Sequence, residues 1–175
     1  MNQLRTEPPL VVTLRMGAAA AARFTALRRA HFPPHCNWLD AHVTLFHALP
    51  GAAIDAVLAG AGEAARAQPA FVMRCEGVTF LGAGVAYALA SPEGVALRAA
   101  LAQRWAPLLA RQDQARRRAL HVTVQNKVAP AAARALHDAL RARFVAENVP
   151  AVGLEVWHYE GGPWRAAASF AFRAK

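Results

Sequence analysis

The chain has 175 residues, 55% of them apolar and 18% charged, which suits a globular domain with a sizeable core and excludes a disordered protein. Its formal charge of +9 favours anionic partners such as nucleotides or nucleic acid, although nearly all the excess is arginine, with lysine only at Lys127 and Lys175. Cys36 and Cys75 form neither a disulfide framework nor a metal-ligand cluster, and the most apolar stretch is broken by Gly82, Gly84, Pro92 and Gly94 before it can span a membrane. Residues 1–9 lack a signal peptide's apolar core and cleavage site, so the expectation is a cytoplasmic protein with no membrane partner.

In chain order, the β-branched run Leu10 to Leu14 predicts a buried strand. Gly17 to His31 carries Ala20, Phe24, Leu27 and Ala30 near helical spacing, and Pro33-Pro34 must end that helix. A loop then leads into a strand from His42 to Leu49, terminated by Pro50-Gly51. Ile54, Val57, Leu58, Ala61 and Ala65 mark a second helix, weakened by Gly60 and Gly62. Phe71 to Leu81 and Val85 to Ala90 predict two strands around Gly82-Ala83-Gly84.

The order then begins again. Ser91 can cap a helix with Pro92 at its first position, carrying Leu97, Leu101, Trp105 and Leu108, and Pro107 kinks or divides it. Arg116-Arg117-Arg118 precedes a strand from Leu120 to Val128, and Pro130 opens a helix with Ala133, Leu136, Leu140 and Phe144 on one face. Leu154 to Tyr159 and Trp164 to Phe172 close the chain as strands around Gly161-Gly162-Pro163. Strand, helix, strand, helix, strand is thus performed twice at nearly constant offset. A single domain over 1–175 follows, duplicated into halves of roughly 10–81 and 84–173. The fold class expected is α+β: a two-lobed α/β sandwich with antiparallel sheets lining a central cleft and helices outside.

One short stretch occurs in both halves, as His42-Val43-Thr44-Leu45 and His121-Val122-Thr123-Val124. On a strand, residues i and i+2 share a face with Cα atoms about 7 Å apart, so each histidine and its threonine can reach two oxygens of one small anion. Histidine gives or accepts a proton near neutrality, and two of them across one phosphorus centre can divide those roles. Threonine hydroxyls can donate to the non-bridging oxygens, and no metal or other cofactor is required. By the same parity Phe46 would share the face of His42 and Thr44 and stack on a base or ribose. Gln125 and Lys127 would share that of His121 and Thr123, with Lys127 facing phosphate.

The paired His-x-Thr motifs, their spacing and the duplicated layout resemble the two-histidine (2H) phosphoesterase superfamily, which includes bacterial 2′-5′ RNA ligase/cyclic phosphodiesterase proteins. The resemblance covers essentially the whole chain. It implies hydrolysis of 2′,3′-cyclic phosphate ends of RNA, or of small cyclic nucleotides, leaving a 2′-phosphate, with ligation as the reverse reaction. It also implies His42 as general acid, His121 as general base, and Thr44 and Thr123 as phosphate ligands. The alternative is a non-catalytic RNA-end or nucleotide binder using the same cleft. A monomer is the expected state.

Other polar residues read as structural. His47, five positions from His42, should face the other way, and Pro33-Pro34 separates His31 from His35 and Cys36 too sharply for a zinc site on one helix. His137 and His158 have no companion, and Arg116-Arg117-Arg118 reads first as a solvated loop and second as a nucleic-acid contact. Trp38, Trp157 and Tyr159 suit rim packing as well as base stacking.

Overall fold

The computed structural model describes residues 7–115 and 119–174, so the expectation for Arg116-Arg117-Arg118 lies outside the described residues. Seven strands form one sheet: β1 (Leu10–Met16), β2 (Val43–Leu49), β3 (Phe71–Phe80), β4 (Val85–Ala90), β5 (Leu120–Gln125), β6 (Glu147–Tyr159) and β7 (Trp164–Ala171). The helices are α1 (Ala18–His31), α2 (Ile54–Ala67), α3 (Pro92–Arg104), the single turn α4 (Arg111–Gln114) and α5 (Pro130–Ala142). None is long and apolar enough to cross a membrane.

Local signals account for most boundaries. Ser91 Oγ accepts from the Gly94 N–H at 3.1 Å with Pro92 at the first turn, which starts α3. That helix stops at Arg104, and Pro107 lies in a following 3-10 turn, Ala106–Leu108, because proline cannot extend the i to i−4 ladder. Gly60, read as a weakness in α2, is a close approach instead. A Cβ there would lie 2.8 Å from Arg104 Nε and Trp105 Nε1, so glycine lets α3 pack against α2.

Sheet order is β2-β1-β6-β3-β4-β5, with β7 added beside β6, and every strand pairing is antiparallel. The order reads symmetrically: β2 and β1 at one side answer β5 and β4 at the other, and each half's third strand pairs with the opposite half. β6 runs seven residues further back than the alternating pattern predicts. It pairs β1 through Ala151–His158 and β3 through Glu147–Ala151, so one strand serves both sides. Pairing of β6 with β3 makes the two expected sheets continuous.

The sheet curls until its edge strands β2 and β5 touch, and α1 packs on β5 across the gap. On the convex side Phe46, Leu49, Val57, Leu101 and Trp105 lie in one buried cluster. Phe46 is fully buried edge-on to Trp105 at 5.2 Å, and burying such a side chain contributes about 1.5–3 kcal/mol. The two strands carrying the repeated motif are therefore the two ends of the six-strand path, and they meet.

Candidate active site

The first motif histidine precedes β2, and a loop built by α1 places it. Arg28, buried on α1, donates from Nε to Asn37 Oδ1 at 2.8 Å and to the Leu39 carbonyl at 3.0 Å. Its Nη1 donates to the Thr123 carbonyl on β5 at 3.0 Å, so one guanidinium ties the loop before the first motif to the second motif strand. Ala41 N–H adds a bond to Thr25 Oγ1. The fold thereby converts two sequence-distant strands into one site.

His42 Nδ1 lies 2.8 Å from the Asp40 carbonyl. A carbonyl only accepts, so Nδ1 carries the proton and Nε2 is left with its lone pair when the ring is neutral. Its ring packs against Trp164 with centroids 4.7 Å apart. Burial pushes the His42 pKa down to about 4, and the positive fields of Arg28, His121 and His47 add to that, against the Asp40 carbonyl bond that raises it. Proximity of His42 to His121 is thus felt electrostatically across the two motifs.

A cavity of about 290 Å³ has His42 and Thr123 in its wall together with Arg28, Trp38, Lys127 and Trp164. Lys127 reaches it from a turn rather than from the strand. β5 ends at Gln125, short of the expected Val128, and Lys127 adopts φ +61° with its N–H bonded to Asn126 Oδ1. His121 and Thr123 are half-buried on β5 opposite Ala88 and Ala86, whose small side chains leave that face open. Thr44 is half-buried opposite Thr13.

Phe46 and Gln125 are corrections, and both have one cause. Thr44 pairs with Thr13 but Phe46 pairs with Val12, and Thr123 pairs with Ala86 but Gln125 with Val85. Neighbouring residues of one strand face opposite sides, so Phe46 cannot share the face of Thr44, nor Gln125 that of Thr123. Each motif strand holds one extra residue, a β-bulge, immediately after its threonine. Phe46 is accordingly in the core, and Gln125 is buried with its Oε1 lacking a hydrogen-bond partner among the described residues. At the second bulge the backbones nearly touch: a Cβ on Gly84 would fall 2.1 Å from the Gln125 carbonyl, which is why glycine stands there.

A further slip between Val12 and Leu10 places His47 and Ala48 together across from Val11, on the concave side. His47 therefore joins the cleft face, contrary to the i+5 count. Its Nδ1–H donates to Asp113 Oδ1 at 2.9 Å, and Asp113 Oδ2 accepts the backbone N–H of His47 and of Ala48. Buried Arg98 donates to the Leu45 carbonyl, at the bulge, and to the Asp113 carbonyl. Sequence reading missed Arg28, Arg98, Asp113 and Trp164. Arg28 had one signal, an arginine four residues after Phe24 on the helix's apolar stripe.

The His42 environment has a measurable consequence. In histidine-detected NMR the free protein should show one ring titrating at about 4, and saturating inorganic phosphate should raise it, because a bound anion favours the imidazolium. Titration of every ring near the unperturbed value of about 6.5 would refute the desolvated placement.

The profile of the 2′-5′ RNA ligase superfamily matches residues 17–163. A search of curated proteins found no match. Among solved structures the fold is similar to TT0787 of Thermus thermophilus, at TM-score 0.64 and 15% identity over 95% of this chain and 99% of that one. It is also similar to E. coli LigT complexed with 3′-AMP, at TM-score 0.61 and 16% identity over 95% and 98% of the two chains. LigT complexed with phosphate gives TM-score 0.57 at 15% identity, over 95% and 98%. With the match covering both motifs and the curled antiparallel sheet shared, the chain belongs to the 2′-5′ RNA ligase superfamily, and its function is of the phosphoesterase and ligase type.

Proposed function

We propose that the protein is a metal-independent phosphodiesterase that opens 2′,3′-cyclic phosphates on RNA ends or small nucleotides, using His42 and His121 as its proton-transfer pair. The observation that carries this reading is the meeting of the two sheet edges. His42, Thr123, Arg28 and Lys127 line one cavity there, with His121 within electrostatic reach of His42. E. coli LigT, similar in fold, has been crystallised with phosphate and with 3′-AMP, ligands of the same chemical class. We read the single domain as an internal duplication that supplies one motif from each half.

In this reading a water oxygen attacks phosphorus and His121 takes its proton. The bond from phosphorus to the 3′ oxygen breaks, and the proton on His42 Nε2 passes to that oxygen, leaving a 2′-phosphate. His42 enters this cycle neutral, and gains its proton when the anionic substrate replaces water beside Nε2. Thr44 and Thr123 hydroxyls donate to the non-bridging oxygens, and Arg28 and Lys127 offset the charge they carry. Ligation runs in the same direction, with a 5′-hydroxyl in the place of the attacking water: the bond from phosphorus to the 3′ oxygen breaks as before and a 2′-5′ phosphodiester is left.

The test is an assay of 2′,3′-cyclic nucleotides and of RNA ending in a cyclic phosphate, in chelator with no added divalent metal. Turnover to the 2′-phosphate is expected. Tight binding of every substrate without turnover would replace the enzyme with an RNA-end or nucleotide binder.

A further inference from the structure

A second cavity, of about 220 Å³, also has His42 in its wall but none of Arg28, Thr123 and Lys127. Leu39, His42 and Trp164 line both cavities, so a ligand whose phosphate sits between the motifs can extend past His42 into the second space. Its wall combines Leu39, Ala41, Trp157 and Trp164 with three charged residues, Arg15, Asp40 and Glu155, of which Asp40 is already paired with Arg29. Trp157 is held by its indole N–H donating to Thr13 Oγ1 at 3.0 Å, and the Trp157 and Trp164 rings lie 6.2 Å apart. Flat indoles beside an apolar wall suit a nucleobase, which is smaller than the ligands that fill pockets of about 300–1,000 Å³.

Glu155 is the anomaly in that wall. It pairs in register with Thr13 and with Ser169, facing the concave side, and is half-buried. Among the described residues it accepts no hydrogen bond and joins no ion pair. The nearest cation, Arg15, is committed elsewhere, donating to Ser169 Oγ at 2.9 Å and to the Val152 carbonyl. Burial pushes the Glu155 carboxyl pKa up, and Arg15 only partly opposes this. A half-buried carboxylate without a donor is destabilising in the free protein, and a ligand with paired N–H groups relieves it. Among the four standard bases, guanine alone offers two adjacent N–H donors, N1–H and the 2-amino group, to a single carboxylate.

Resting on the function proposed above, we infer that this cavity holds the nucleobase of the substrate and that Glu155 selects guanine. A site built to bond particular N–H groups rejects a ligand that lacks them, because its own polar atom is then left unpaired. Inosine, which lacks the 2-amino group, falls between guanine and the other bases.

The experiment compares wild type with Glu155→Gln in two readouts. One is kcat/KM on the four 2′,3′-cyclic mononucleotides; the other is calorimetric binding of 2′-GMP and 2′-AMP. Wild type should favour guanine over adenine by at least about tenfold in both, and Glu155→Gln should bring the two within about threefold. Unchanged or raised thermal stability shows that the variant is folded. Equal treatment of all bases by wild type, or a guanine preference that survives in Glu155→Gln, overturns the inference and leaves the phosphodiesterase standing. Absence of all turnover with Glu155-dependent binding of 2′-GMP supports the base site and removes the enzyme.

Discussion

His42→Ala and His121→Ala should each lower kcat on a 2′,3′-cyclic nucleotide by about 10²–10⁴-fold, the usual worth of a positioned general acid or base. The double variant should be little worse than either single one, because the two groups act in one concerted proton transfer and their losses do not add. The fold should survive. His42 makes one bond to the Asp40 carbonyl and one ring contact with Trp164, so its removal costs about 1 kcal/mol of stability. Steady-state kinetics alongside thermal melting checks both halves of the expectation. Retention of most activity by both variants would end the two-histidine mechanism, whatever the fold.

Asp113→Ala is the second large effect, and it falls on stability. The carboxylate is fully buried and accepts three donors: the His47 ring N–H and the backbone N–H groups of His47 and Ala48. Removing it strands two backbone donors at about 1–3 kcal/mol each and releases the imidazole, so urea unfolding should report a loss of at least about 3 kcal/mol. Asp113→Asn keeps one acceptor oxygen and should lose less. The bonds from His47 and Ala48 outweigh burial and hold the Asp113 pKa below its ordinary 3.8. A depressed carboxylate contributes stability above its unfolded pKa and loses it as pH falls through the folded one, so the Asp113 contribution disappears only in strong acid. His42, neutral until about 4, begins to erode the fold earlier, as pH drops below the unfolded imidazole value of about 6.5. A variant no less stable than wild type would show that the network around the bulge is ornamental.

Much of this was legible from local pattern. His-x-Thr on a β-branched run, Ser91-Pro92 before an apolar stripe, and Pro107 inside a helical spacing each encode their structure within a few residues. Strand parity places Lys127 on the face of Thr123, whereas it lines the cavity from a left-handed turn beyond the strand. Phe46 and Gln125 show where local pattern stops. Both followed from counting by two along a strand, and one inserted residue after each threonine inverts the count. Val43-Thr44-Leu45-Phe46 alternates no differently from an unbulged strand, since the slip depends on the partner strand's register. Arg98 and Asp113, which secure the first bulge, lie more than 50 residues from it in sequence.

The amino-acid order by itself determined most of the elements, the repeated histidine and threonine pair, and the family those pairs belong to, because each is written in short-range periodicity and residue chemistry. Only the tertiary structure decided which side chains share the cleft. Register, sheet curl and a buried arginine reaching from α1 to β5 are set by contacts between segments far apart in the chain, and no local pattern carries them.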